Sequence, residues 1–105
     1  MIVIFIYGIP DEVEDGKILK LQSMLGGILQ GTQKFELGLN DVLCYTSRER
    51  TKVGRGGDVL IKVEGLQKWA LKKGVDTWEI IAIQIALEEK TKEFTAGSRV
   101  RCLID

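Results

Sequence analysis

The chain has 105 residues, with 15 basic and 15 acidic side chains, no His, two Cys and one Pro. A chain of this length is expected to form a single domain, 1–105, and to bury roughly two-thirds of its unfolded surface without a metal or disulfide staple. The missing His excludes a Ser-His-Asp triad, a Cys-His dyad and a His-ligated zinc, and two Cys cannot make a four-thiolate site, so no metal and no cofactor are expected.

Met1 to Ile9 is an apolar run about half as long as a membrane span, with no basic flank and no small-residue cleavage site. It reads as a buried strand, and a cytoplasmic protein with two reduced thiols, Cys44 and Cys102, is expected. The zero net charge hides an uneven distribution. Residues 1–47 carry 3 basic and 6 acidic groups, 48–73 carry 8 and 3, and 74–105 carry 4 and 6. No whole-chain attraction to nucleic acid is expected, and no membrane contact, but the basic middle leaves room for a local anion site.

Ile2–Tyr7 is continuously apolar and rich in β-branched residues, the pattern of a central strand covered on both faces. Gly8-Ile9-Pro10-Asp11 ends it. A helix follows to Gln30, with Ile18, Leu21, Leu25 and Ile28 on one face, widened by Met24 and Leu29. Gly26-Gly27 interrupts its propensity but not its period, which predicts close packing against that point. Residues 31–40 read as a polar turn, and Asp41–Thr46 as the second strand. The stretch 48–57, with Gly54, Gly56 and Gly57, is a basic, glycine-rich connection.

Asp58–Glu64 alternates Val59, Ile61 and Val63 with Leu60, Lys62 and Glu64, a strand with one buried face. Residues 65–74 form a connection carrying Trp69 and three lysines. Asp76 followed by Glu79 is a capping signature for a second helix over 77–95, stopped by Gly97. Its first two turns are apolar almost all round, which predicts cover on more than one side and places Trp78, Ile81 and Ile85 in the core. Arg99–Ile104 is the last strand, with Val100, Cys102 and Ile104 facing in.

The expected fold is therefore α+β, in the order β-α-β-β-α-β: a four-stranded mixed sheet with two helices on one face, built from two βαβ halves, 1–47 and 58–105. Two architectures share that order, the ferredoxin-like sandwich and the tautomerase fold. The second half runs from strand Asp58–Glu64 through a loop with Lys68 and Gly74 to helix 77–95 and strand Arg99–Ile104. This resembles the second half of the tautomerase superfamily, the migration-inhibitory-factor-like proteins, and the length of two fused halves matches as well. The resemblance implies a homo-oligomer, a trimer rather than a dimer. It also implies an N-terminal proline as catalytic base, but position 2 is Ile2, a bulky residue that favours retention of Met1. No catalytic residue carries over, and no proline-dependent tautomerase activity is expected. An isomerase using a different base remains an alternative, as does a ferredoxin-like regulatory or ligand-binding module.

Two helices cover one face of a four-stranded sheet. The apolar Val3, Phe5 and Tyr7 then leave the other face as a patch of the kind that marks an interface, so self-association is expected on physical grounds too. The candidate ligand is a small carboxylate or phosphate. Arg48, Arg50 and Arg55 lie among glycines that would let an anion approach the backbone, with Tyr45 near the end of the preceding strand. A subunit contact or a plain loop is the alternative reading of that stretch. Cys44 would be a nucleophile only if those arginines stabilised its thiolate. The acidic group Asp11, Glu12, Glu14 and Asp15 reads as a solvated first turn where a helix dipole favours negative charge, with acid–base chemistry or a hard metal as the alternative reading of paired acids. Trp69 reads as a lid over the core or as part of a contact.

Overall fold

A computed structural model describes residues 1–38, 40–48, 58–95 and 98–105. Its elements run β1 (Ile2–Tyr7), α1 (Asp15–Gln30), a 3₁₀ turn (Gln33–Phe35), β2 (Val42–Thr46), β3 (Asp58–Glu64), α2 (Leu66–Lys73), α3 (Thr77–Phe94) and β4 (Arg99–Ile104). The strands form one sheet in the order β2-β1-β3-β4. β1 is parallel to β2, β3 is parallel to β4, and the two pairs meet antiparallel across β1 and β3.

That order decides between the two architectures. In a ferredoxin-like fold another strand separates the parallel strands of each βαβ half. Here each half keeps its own two strands side by side, so the mixed sheet is tautomerase-like. The core lies between the sheet and the helices. Ile2, Ile4 and Ile6 of β1 and Val59, Ile61 and Val63 of β3 are buried, and they meet Leu21, Leu25 and Leu29 of α1 and Ile83 and Leu87 of α3.

The halves match position by position through their registers. Ile4 pairs with Cys44 in the first half as Ile61 pairs with Cys102 in the second. Each first strand ends in a left-handed glycine, Gly8 at φ 80° and Gly65 at φ 86°. A Cβ on Gly8 would lie 2.6 Å from the Asp58 carbonyl oxygen, and one on Gly65 would lie 2.7 Å from that of Met1. Only glycine fits there, because both the backbone angle and the neighbouring chain exclude a side chain.

Four expectations are corrected. First, the connection 65–74 contains a helix, α2, bounded by the left-handed Gly65 and Gly74. Trp69 on it donates from Nε1 to the Phe35 carbonyl at 2.7 Å and packs on the core as a lid. Phe35, inside the expected polar turn, is fully buried. Second, α1 runs unbroken through Gly26-Gly27, but among the described residues nothing lies within 4 Å of where a Cβ would sit on either, so no close packing is seen there. Third, Trp78, Ile81 and Ile85 are exposed rather than in the core, since the described residues cover only one side of α3. Fourth, β1 is central, but its second face, Val3, Phe5 and Tyr7, is only half-buried. The capping signature holds, with the Glu79 N–H donating to Asp76 Oδ1 at 2.9 Å. Gly97 lies outside the described residues.

Candidate functional site

Two candidate surfaces lie on opposite sides of the sheet. One is a cleft where β2 meets the start of α1. Pairing continues past the strand end: the Ser47 N–H donates to the Ile6 carbonyl at 2.8 Å, and the Ile9 N–H donates to the Ser47 carbonyl at 3.2 Å. This delivers Arg48 to the loop between Pro10 and Asp15. Its Nη1 donates to the Pro10 carbonyl at 2.7 Å, and its Nη2 donates to the Val13 carbonyl at 2.7 Å and to Asp15 Oδ1 at 3.2 Å. Among the described residues these bonds use three of the guanidinium's five N–H groups. The carbonyls are fixed by backbone, whereas the Asp15 side chain is 94% exposed and holds its end of the pair loosely.

Beside Arg48 lies a hollow of about 300 Å³, the low end of the range for small-ligand pockets. Ile9, Ile18 and Leu19 line its apolar side. Gln22 and Thr46 line the other and bond to each other, Nε2 to Oγ1 at 3.1 Å. The arrangement can take a short molecule with one anionic end and one apolar end. Of the other expected site residues, Tyr45 does not join Arg48. It stands on the far face of the sheet, stacked on Phe5 with ring centroids 5.7 Å apart. Arg50 and Arg55 lie outside the described residues. In the acidic group, Asp11, Glu12, Glu14 and Asp15 are all exposed, and Asp15 reaches Arg48.

Cys44 is not an activated thiol. It faces the helices beside Ile4, and burial pushes its pKa up to about 12. Cys102, its counterpart, is pushed up to about 12 by burial, with Glu88 adding to the effect. The two sit on the outermost strands at opposite edges of the sheet, and both are free.

The second surface is the sheet face that no helix covers among the described residues. The register sets Tyr45, Phe5, Lys62 and Leu103 in one row across the four strands. Leu43, Val3 and Glu64 form a row on one side of it, and Tyr7, Leu60 and Arg101 a row on the other. Tyr45 is 54% and Leu103 57% exposed, and Phe5 stacks on Tyr7 as well as on Tyr45. Sequence reading found the β1 part of this face from its unbroken apolar run. It could not find that Leu43, Tyr45, Leu60 and Leu103 share it, because that depends on which strands are neighbours.

At the amino-terminal end of β1, the Ile2 side chain is fully buried and its N–H donates to the Asp41 carbonyl at 2.9 Å. The sole proline, Pro10, is beyond the other end of the strand and serves Arg48 through its carbonyl.

No protein-family model matches the sequence, and no curated protein is similar to it. Among solved structures, the fold is similar to that of malonate semialdehyde decarboxylase, from a crystallographic study of its wild-type, mutant and inactivated forms. The TM-score is 0.53 at 14% identity, over 98% of this chain and 84% of that one. Malonate semialdehyde decarboxylase is a tautomerase-superfamily enzyme, so the likeness confirms the tautomerase-like α+β fold. Among the described residues no helix is long and apolar enough to cross a membrane.

Proposed function

We propose that the chain is a divergent relative of the tautomerase superfamily that assembles as a homo-oligomer through its open sheet face. On this reading it binds a small carboxylate or phosphate in the cleft at Arg48 and carries no proline-based tautomerase chemistry. The observation that carries the proposal is the open face itself. Leu43, Tyr45, Val3, Phe5, Tyr7 and Leu60 form an apolar patch across three strands there, with Leu103 beyond Lys62 on the fourth, of the kind that marks an interface in soluble proteins. The trimer is the state that the family resemblance implies. The free thiols on opposite outer strands suit a reducing, cytoplasmic setting.

The cleft supports the ligand. Two backbone carbonyls hold the Arg48 guanidinium in place before any anion arrives, and an exposed Asp15 carboxylate occupies the position that a ligand carboxylate would take. Ile9, Ile18 and Leu19 then favour a carboxylate with a short apolar tail over bare phosphate. Isothermal titration of butyrate, succinate and inorganic phosphate at about physiological salt tests this. Asp15→Asn removes the competing carboxylate and should tighten binding several-fold, whereas Arg48→Lys should weaken it at least as much. No binding below millimolar concentration, or an Asp15→Asn protein that binds no better than wild type, would refute the site.

A further inference from the structure

The cleft at Arg48 changes character along its length. On α1 the lining residues Asp15, Ile18, Leu19 and Gln22 recur at i, i+3, i+4 and i+7, the spacing that keeps them on one face of the helix. On the opposite wall, Thr46 and Arg48 are two residues apart, so the alternation of an extended chain turns both toward that face. The walls match in order. Asp15 meets Arg48 at one end at 3.2 Å, and Gln22 meets Thr46 at the other at 3.1 Å. Ile18 and Leu19 lie between the two pairs in sequence. Leu19 is 66% exposed, an apolar surface that the carbons of a ligand would cover.

The apolar wall therefore stops at a neutral polar pair. Among the described residues, the bond from Gln22 Nε2 to Thr46 Oγ1 takes one of the two N–H groups of the amide. The other N–H, the amide oxygen and the Thr46 hydroxyl proton remain for a ligand. Together they donate and accept. A hydroxyl or a carboxamide does the same and satisfies them, whereas a methyl group would cover them without replacing the water they bond. Seven residues of helix and two of extended chain set the charged and the neutral ends roughly 7 to 10 Å apart, the reach of about five carbons with a polar group at each end. We propose that the ligand of this cleft is a short monocarboxylate whose far end carries a hydroxyl or a carboxamide, with Gln22 and Thr46 as the residues that select it. This rests on the reading of Arg48 as the carboxylate site and adds the chemistry of the other end.

Isothermal titration of three five-carbon acids at about physiological salt tests it: pentanoate, 5-hydroxypentanoate and glutaramate, the monoamide of glutarate. Wild type should bind the hydroxy acid and the amide about two- to tenfold more tightly than pentanoate, the worth of one net hydrogen bond. Gln22→Leu should bind pentanoate at least as well as wild type and lose the preference. Thr46→Val, which keeps the volume of the side chain, should reduce it. Arg48→Lys should weaken all three acids by one common factor and leave the preference intact. The wild-type comparison needs no substitution, so a variant that fails to fold does not remove the test. Pentanoate bound as tightly as the other two, or an unchanged preference in Gln22→Leu, would overturn the selection by Gln22 and leave the carboxylate site standing. Binding of none of the three acids at millimolar concentration would overturn the carboxylate site itself, and this inference with it.

Discussion

The two βαβ halves are built on the same plan and diverge at one point, the segment that follows the first strand. In both halves a left-handed glycine ends that strand beneath the backbone of the other half. In both, pairing continues past the strand: Ser47 bonds to Ile6 and Ile9 as Asp105 bonds to Val63 and Gln67. From there the first half runs through an irregular loop that Arg48 ties down, with a cleft beside it. The second half folds the corresponding stretch into α2, whose Gln67 side chain donates to the Ile104 carbonyl. The scaffold is thus duplicated and the segment after the first strand is not. A framework of repeated contacts sets stability, while the segment that broke the repeat is where chemistry can differ.

If the halves are equivalent in their frameworks, matched substitutions should cost alike. Ile4→Ala and Ile61→Ala, both fully buried, should each lose about 2–5 kcal/mol by urea denaturation. A large difference between them would break the equivalence. Gly8→Ala and Gly65→Ala should each lose about 3 kcal/mol, since each forces a side chain into a left-handed backbone and against a carbonyl. The two cysteines extend the match to pH. Burial raises both thiols to about 12 in the folded state from the ordinary 9, so the neutral form is the one that folding favours. Stability should then be level with respect to the thiols below pH 9 and fall as the pH rises from 9 toward 12, and Cys→Ala at either position should flatten that fall. The smallest effect belongs to the first half alone. Gly26→Ala and Gly27→Ala face open space in mid-helix and should each stabilise by up to about 1 kcal/mol.

Apolar runs and alternation made β1, β3 and β4 legible in the sequence, and Asp76 with Glu79 marked the start of α3. The order of the strands was not legible, because periodicity reports which face is buried and not which strand is adjacent. The equivalence of the halves was hidden for a related reason. From Ile4 to Cys44 the chain is one residue shorter than from Ile61 to Cys102, so a comparison at constant spacing slips out of register. The helix α2 is short and glycine-bounded and has no capping side chain, and Phe35 is a lone aromatic in a polar run. Of the candidate site, Arg48 was legible from its glycine-rich, basic surroundings. Its partners Pro10, Val13 and Asp15 were not, since more than thirty residues separate them from it. The apolar first turns of α3 were read as core, yet Trp78, Ile81 and Ile85 are exposed. The period could not say that the described residues cover only one side.

The proposal that a second copy covers the open sheet face is tested most directly by sedimentation equilibrium of wild type and of the double variant Tyr45→Lys, Leu103→Lys. These two residues end the central row of the open face on its two outer strands. The wild-type mass should be a multiple of the 11.7 kDa chain, and the variant's mass should be one-third of it at the same micromolar concentration. Equal masses for the two proteins would contradict it.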